Sequence, residues 1–294
     1  MKKHIHNFAL SVKERLLNVA RKEGDNYQML LIRYFHERLL YRLSISEYRE
    51  HFLLKGGALL YAYQSLKSRP TIDIDFMGEK INNDINHIRV VFQKICSVIC
   101  LEDGVEFLHN QITSESINID KNYEGVRIHI PAKLDSVQQL ISIDIGFGDV
   151  VIPAPVELKY PNLLNNIPQA IIKTYSIETI VAEKFQTMIV RGGENSRMKD
   201  FFDVYRILKE EIVDINILEN AIFATLKNRN TLFVENHELF SDEFYSNPQR
   251  IIRWNAFLNK IRWKDILPFH FIGSIIRKHL LPFWLNYGKN NQYV

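Results

Sequence analysis

Two aspartates two residues apart, Asp73 and Asp75, stand in a stretch that alternates strictly, with Ile72, Ile74 and Phe76 at the positions between and around them. A period of two is that of a β-strand. It predicts a strand over 71–77 with both carboxylates on one face. On a strand the two Cα atoms lie roughly 6.5–7 Å apart. Carboxylates held that close raise one another's pKa unless a cation lies near them. Mg²⁺ suits such a place, because it takes one or two carboxylates and completes its shell with substrate phosphate oxygens. A plain solvated strand face carries the same pattern, and the pair alone does not decide between the two.

Other residues add weight. Asp144 lies in Ile141-Ser-Ile-Asp-Ile-Gly-Phe-Gly, another alternating stretch, and an acid between Ile143 and Ile145 is costly to bury unless something cationic receives it. A third carboxylate from a neighbouring strand is what a two-ion site needs, one ion activating the attacking oxygen and the other steadying the leaving phosphate. An outward-facing strand acid is the simpler alternative. Lys55-Gly56-Gly57 precedes the pair at an expected strand-to-helix junction, where glycines let backbone approach a phosphate and the helix N–H groups favour anions. Gly-Gly is also a common turn. Arg69 and Thr71, just before the acids, offer a guanidinium and a hydroxyl for phosphate oxygens.

Two later features bear on the same chemistry. In 176–190 the apolar stripe is Ile177, Ile180, Val181, Phe185 and Met188, and Lys184 falls on it. A lysine there either snorkels off the edge of the core or is presented to an acidic, phosphate-holding cavity. The first reading expects Lys184→Met to be neutral or stabilising; the second expects lost activity at unchanged stability. Asp200 and Asp203 follow three apart on one helical face. They can charge a helix start or orient Lys184 or the metal site, and the sequence leaves the role of Asp203 open.

The elements that must position these residues read as follows. Helices are expected over 8–21, 27–43, 58–66 and 83–100, with a short strand over 51–54. Strands dominate 105–152, most clearly at 126–130 and 140–145. Prolines 153, 155, 161 and 168 punctuate a connection, and helices are expected over 177–190, 197–209, 214–228, 247–261 and 269–287. The outline is an α+β fold, a small mixed sheet flanked by N-terminal helices and a helical C-terminal part, divided as 1–175 and 176–294.

Charge is uneven along the chain. Residues 1–50 carry ten Lys and Arg against six Asp and Glu, residues 241–294 eight against three, and the net charge of +3 leaves the middle acidic. Basic ends suit a polyanionic partner. In 250–264, Arg250, Arg253, Lys260, Arg262 and Lys264 lie near Trp254 and Trp263, so phosphates could be neutralised there while a ring stacks on an unpaired base. Trp254, Phe257, Leu258 and Ile261 also follow core spacing, and the expectation rests on the charges. Lysines, Glu14 and Arg15 interrupt Met1–Asn18, and Arg277 and Lys278 interrupt Pro268–Leu285; no signal peptide or membrane span is expected. Cys96 and Cys100 read as reduced core thiols, so a cytoplasmic protein is expected.

Four blocks in order carry a resemblance: Lys55-Gly-Gly-Ala-Leu-Leu, Arg69-Pro-Thr-Ile-Asp-Ile-Asp-Phe, Ile177-Glu-Thr-Ile-Val-Ala-Glu-Lys-Phe and Arg197-Met-Lys-Asp-Phe-Phe-Asp-Val. With Tyr41-Arg-Leu-Ser-Ile-Ser before them, over roughly residues 8–210, the chain resembles the AbiEii/MenT nucleotidyltransferase toxin family. The resemblance implies a DNA polymerase β-like nucleotidyltransferase core and an Mg²⁺-dependent enzyme, with two ions possible. It implies the toxin half of a bacterial toxin–antitoxin or phage-defence (abortive infection) pair, a nucleoside triphosphate substrate, transfer to RNA such as a tRNA 3′ end, and a cognate antitoxin. By matching position, Asp73 and Asp75 are the metal acids, and Lys184 and Asp200 the essential lysine and aspartate. Asp144 is matched less closely. The chain has Gly-Gly where many polymerase β-like enzymes have Gly-Ser, so no serine contact to the triphosphate is expected. Transfer to a protein or small molecule on the same core, and a catalytically silent RNA-binding module, are the alternatives.

Overall fold

The structure, a computed structural model, describes residues 7–64, 69–120, 123–210 and 213–291. The chain divides into two compact units. The first comprises 1–148 and 155–175, and the second 149–154 and 176–294.

The first unit opens with two helices, α1 (Phe8–Glu23) and α2 (Tyr27–Ser44), each started by an asparagine whose side chain accepts from a backbone N–H of the first turn. Next come β1 (Phe52–Lys55), α3 (Gly56–Gln64), β2 (Asp73–Gly78) and α4 (Ile85–Cys96). The strands β3 (Val105–Phe107), β4 (Thr113–Asp120), β5 (Tyr123–Leu134), β6 (Val137–Phe147), β7 (Val156–Lys159) and β8 (Ile171–Thr174) complete it. One mixed sheet runs in the order β3-β5-β6-β2-β1-β8-β7, with β4 also paired to β5. The β2–β6 and β1–β8 pairings are parallel and the rest antiparallel. The fold class is therefore α+β with a mixed sheet, as the alternation of patterns predicts. The expected helix over 83–100 stops at Cys96, and Cys100 lies beyond it; both thiols are free and buried, and burial pushes both up. The end of the helix expected over 58–66 lies outside the described residues.

Helix α2 does more than its apolar periodicity announces. Arg33, His36, Glu37, Arg38 and Arg42 are all buried in it. Buried charges need partners, and these find them in distant loops. Arg42 donates to Asp103 at 2.7 Å and to the carbonyls of Val98 and Val105, and Arg38 donates to the carbonyl of Pro168. Glu37 accepts from Arg38 and from the backbone N–H of Leu163. His36 Nε2 donates to the carbonyl of Ile72 at 3.1 Å, immediately before the acid strand. One helix thus fixes the approach to β2 by hydrogen bonds from its side chains.

The second unit is helical: α5 (Ile177–Arg191), α6 (Met198–Glu210), α7 (Ile215–Asn228), α8 (Asp242–Ser246), α9 (Pro248–Lys260) and α10 (Phe269–Asn291). Its core is aromatic, with Phe185 edge-on to Trp284 and Phe201 edge-on to Phe269. Among the described residues no helix is long and apolar enough to cross a membrane.

Burial lowers the pKa of His36 from 6.5 to about 4, with the Arg33 charge adding to it and the Ile72 bond opposing. The folded protein holds the neutral ring, so this contribution is complete above pH 6.5 and is lost as pH falls towards 4. Over that window, denaturant unfolding at a series of pH values should show the wild type losing on the order of 3 kcal/mol more stability than His36→Gln. The glutamine amide can still donate to Ile72. Parallel pH curves for the two proteins would refute this account.

Candidate active site

Strand β2 begins at Asp73, two residues later than the alternation predicts. Ile72 is therefore not part of the apolar face; it is 58% exposed, while Ile74 and Phe76 are buried. The remaining alternation holds, and it turns Asp73 and Asp75 to the opposite face. Pairing then decides which residues join them. Lys55 on β1 stands opposite Asp75, Asp75 stands beside Asp144 on β6, and Arg127 on β5 stands opposite Asp144. Directly paired residues share a face, and Glu115 on β4 stands opposite Arg127, so Lys55, Asp75, Asp144, Arg127 and Glu115 form one charged row across five strands.

The turn from β1 into α3 closes on this row. Gly56 has a φ of +64°, and a Cβ there would fall 1.9 Å from Asp75 Oδ2. A Cβ on Gly57 would fall 2.7 Å from Thr71 Oγ1 and 3.4 Å from Arg69 Nη1. Both glycines are required by space, and the first also by backbone conformation. The N-terminus of α3 therefore sits against Asp75, Thr71 and Arg69. Lys55 Nζ lies 5.2 Å from the centroid of the Tyr175 ring, with the Tyr175 hydroxyl at 3.5 Å. The sequence-expected set of Lys55, Gly56, Gly57, Arg69, Thr71, Asp73, Asp75 and Asp144 is thus assembled at one end of the central strands.

Asp144, expected as a third metal carboxylate, is held by a cation of the chain itself. Its two oxygens accept from Arg127 Nε at 2.6 Å and Arg127 Nη2 at 2.7 Å. These bonds raise the guanidinium pKa, helped by the charges of Asp144, Asp73 and Glu115. In the next row Ser142 stands beside Asp73, and His129 opposite Ser142, with His129 Nδ1 3.2 Å from Ser142 Oγ. Arg127, His129 and Tyr175 were not foreseen. Alternation puts Arg127 and His129 on one face of β5, but only the strand register says which acid each one meets.

Among the described residues no group of three or more His, Cys, Asp or Glu side chains is placed to hold a metal ion. A pair of carboxylates on one strand face, with one of them set in the cradle that Gly56 leaves, fits an ion whose remaining ligands come from phosphate and water. Asp73 and Asp75 are the residues that would hold it.

In the second unit, Lys184 is not at a core edge. Its Nζ lies 2.7 Å from Asp200 Oδ1 and 2.9 Å from Asp203 Oδ2, and its side chain is 12% exposed. Asp200 also accepts from Arg197 Nε at 2.7 Å. Burial raises the Asp200 pKa, but Lys184 and Arg197 more than offset it and hold the carboxyl at about 2. Both acids are thus partners of Lys184, which places Asp203 in the same cluster. The snorkelling alternative is set aside by these distances.

The basic cluster on and after α9 divides. Arg253, Lys260, Arg262 and Lys264 are exposed, as expected of a charged surface. Arg250 is a packing residue whose guanidinium lies 3.9 Å from the Phe244 ring centroid and donates to the Gly193 carbonyl. Trp254 is buried and donates to the Leu267 carbonyl, and Trp263 packs edge-on against Phe202 and under Arg206.

A family model described as nucleotidyl transferase AbiEii toxin, type IV TA system, matches residues 38–267. No curated protein matches the chain. Among solved structures, one assigned as a nucleotidyltransferase from H. pylori is 16% identical, with a TM-score of 0.49, covering 90% of this chain and 99% of its own. The protein JHP933 from Helicobacter pylori is also 16% identical, with a TM-score of 0.48, covering 91% and 97%.

Two substitutions test this geometry. Gly56→Ala should push the Asp75 carboxylate out of place. Activity should fall by about 100-fold, as expected for a displacement of about 1 Å at a reacting site, and near-wild-type turnover would refute the role of the cradle. Lys184→Met takes a cation from two buried carboxylates, of which Asp200 keeps Arg197. It should lower unfolding free energy by about 3 kcal/mol or more, contrary to the sequence-based expectation that stability is unchanged, and equilibrium denaturation measures the difference.

Proposed function

The chain belongs to the AbiEii nucleotidyltransferase toxin family of type IV toxin–antitoxin systems, and from that premise we propose that it transfers a nucleotide from a nucleoside triphosphate to the 3′ hydroxyl of an RNA, a tRNA 3′ end being the favoured acceptor. The observation that carries this reading is the packing of the β1–α3 turn on the acid strand, where Gly56 leaves space that the Asp75 carboxylate fills. A phosphate-binding turn and a carboxylate pair in contact are what a triphosphate with its ion requires.

Each residue then has a task. The N–H groups at the start of α3, with Lys55, Arg69 and Thr71, bind and orient the triphosphate. Asp73 and Asp75 would hold Mg²⁺, which when bound neutralises phosphate charge and favours the deprotonated acceptor hydroxyl. The acceptor oxygen attacks the α-phosphorus in line. The bond from that phosphorus to the bridging oxygen of the β-phosphate breaks, and pyrophosphate leaves with the electron pair. Positioning and charge supply most of the acceleration. We assign Lys184 and Asp200 as the essential lysine and aspartate implied by the family motif, the lysine set between Asp200 and Asp203. A role in phage defence, a cognate antitoxin partner and Mg²⁺ dependence belong to the same proposal.

Incubation with each α-labelled triphosphate, total RNA and Mg²⁺ tests it. Label is expected in RNA, and label in protein or nowhere would select one of the other readings. Asp73→Asn should abolish incorporation, by about 1,000-fold or more for loss of charge stabilisation worth about 4 kcal/mol, while circular dichroism stays native. Mg²⁺-dependent incorporation near the wild-type rate in that variant would refute the metal assignment.

A further inference from the structure

The charged row across the sheet has a direction. Reading along it, Lys55 on β1 is followed by Asp75 on β2, Asp144 on β6 and Arg127 on β5. The row continues past Arg127 to Glu115 on β4. Neighbouring strands lie about 4.8 Å apart, so its two cations rise from backbones about 14 Å apart with Asp75 and Asp144 between them. The β1 end is also the end of the Gly56–Gly57 turn, Arg69 and Thr71. Arg127 lies away from that end, between Asp144 on β6 and Glu115 on β4.

Arg127 is fixed in a particular way. Nε and Nη2 are spent on the two oxygens of Asp144. A guanidinium has five N–H donors, and a bidentate carboxylate uses two, so the Nη1 edge keeps donors for a second anion. The side chain is 34% exposed. His129 and Lys133 follow Arg127 at alternate positions of β5, between the buried Ile128, Ile130, Ala132 and Leu134. The same face of β5 therefore runs alongside the acid pair, with Arg127 in the row of Asp75 and His129 in the row of Asp73, and passes Pro131 before Lys133.

We propose that Asp144 is the positioning residue of Arg127, and that Arg127 receives a phosphodiester of the acceptor strand on the side of the acid pair opposite the triphosphate. This rests on the transfer to RNA proposed above. The metal acids are then Asp73 and Asp75, and Asp144 acts on the reaction through the guanidinium it holds. An acceptor phosphate at Arg127 places the 3′ end of the strand beside Asp75 and Asp144, where the attacking hydroxyl is needed.

The test compares Asp144→Asn, Arg127→Ala and Arg127→Lys in three titrations of the full-length protein: Mn²⁺, a non-hydrolysable triphosphate analogue, and a short single-stranded RNA over a salt series. Arg127→Ala should weaken RNA binding by about 10-fold, the loss of one charge-assisted contact, and make the salt slope shallower by about 0.7. Asp144→Asn should weaken RNA binding in the same direction, because the guanidinium loses its anchor. Arg127→Lys should restore the slope without the full affinity. Mn²⁺ and analogue binding should stay within about two-fold of wild type in all three, a change of less than about 0.5 kcal/mol. Loss of Mn²⁺ binding in Asp144→Asn would make Asp144 a metal ligand and overturn the proposal. An unchanged RNA slope in Arg127→Ala, or no RNA binding by the wild type, would overturn the role of Arg127. If the labelling assay instead marks protein, transfer to RNA fails as a reading, while the Mn²⁺ titration still decides what Asp144 does.

Discussion

A carboxylate fills the volume where any residue but glycine at position 56 would carry its Cβ. This contact is a condition on three elements at once. β1 must end and α3 begin at a left-handed residue, β2 must present Asp75 at the same level, and the antiparallel register of the two strands must hold to the residue. The same logic repeats one position on, where Gly57 meets Thr71 and Arg69. Donors and acids are thereby brought together before any ligand arrives. A site built in advance avoids reorganisation during the reaction, the property that makes electrostatic stabilisation effective.

In both units charges are placed where they are expensive. Arg38 and Arg42 are buried on α2, and Asp200 and Asp203 are buried on α6. Removing ions from water costs several kcal/mol each, and pairing returns only part of it. Such pairs do not make a fold more stable than apolar residues would. They do dictate geometry: Arg42 accepts one position for Asp103, and Lys184 one spacing for two acids a helical turn apart. In each unit the apolar core supplies stability while the buried ions supply position.

Period and punctuation made much of this legible in the sequence. The alternation at Ile74 and Phe76 located the acid strand, and the glycines located the turn. The helical stripe placed Lys184 on an inward face, although the stripe said nothing of what lay opposite. What stayed hidden depends on register and on distance along the chain. No local pattern pairs Arg127 with Asp144 or lets His36 reach Ile72, since a strand can pair in many registers until its neighbours are fixed. The start of β2 was misplaced for a related reason. Ile72 has the right residue type for the strand, but its carbonyl is taken by His36 and its side chain by solvent.

The sheet order has a consequence for the ribosome. The two strands that bear the turn and the acids are near neighbours in the chain, but their outer partners are not: Asp75 lies beside Asp144, and Leu54 beside Thr174. Pairings this remote in sequence form late. At about 5–20 residues per second of synthesis, the stretch from Asp75 to Thr174 takes roughly 5–20 s to emerge. A nascent chain halted before residue 137 carries the acid pair and its glycine turn without β6 or β8, and one halted between 147 and 171 has β6 but still lacks β8, so the turn and the acids exist for that time without both flanking strands.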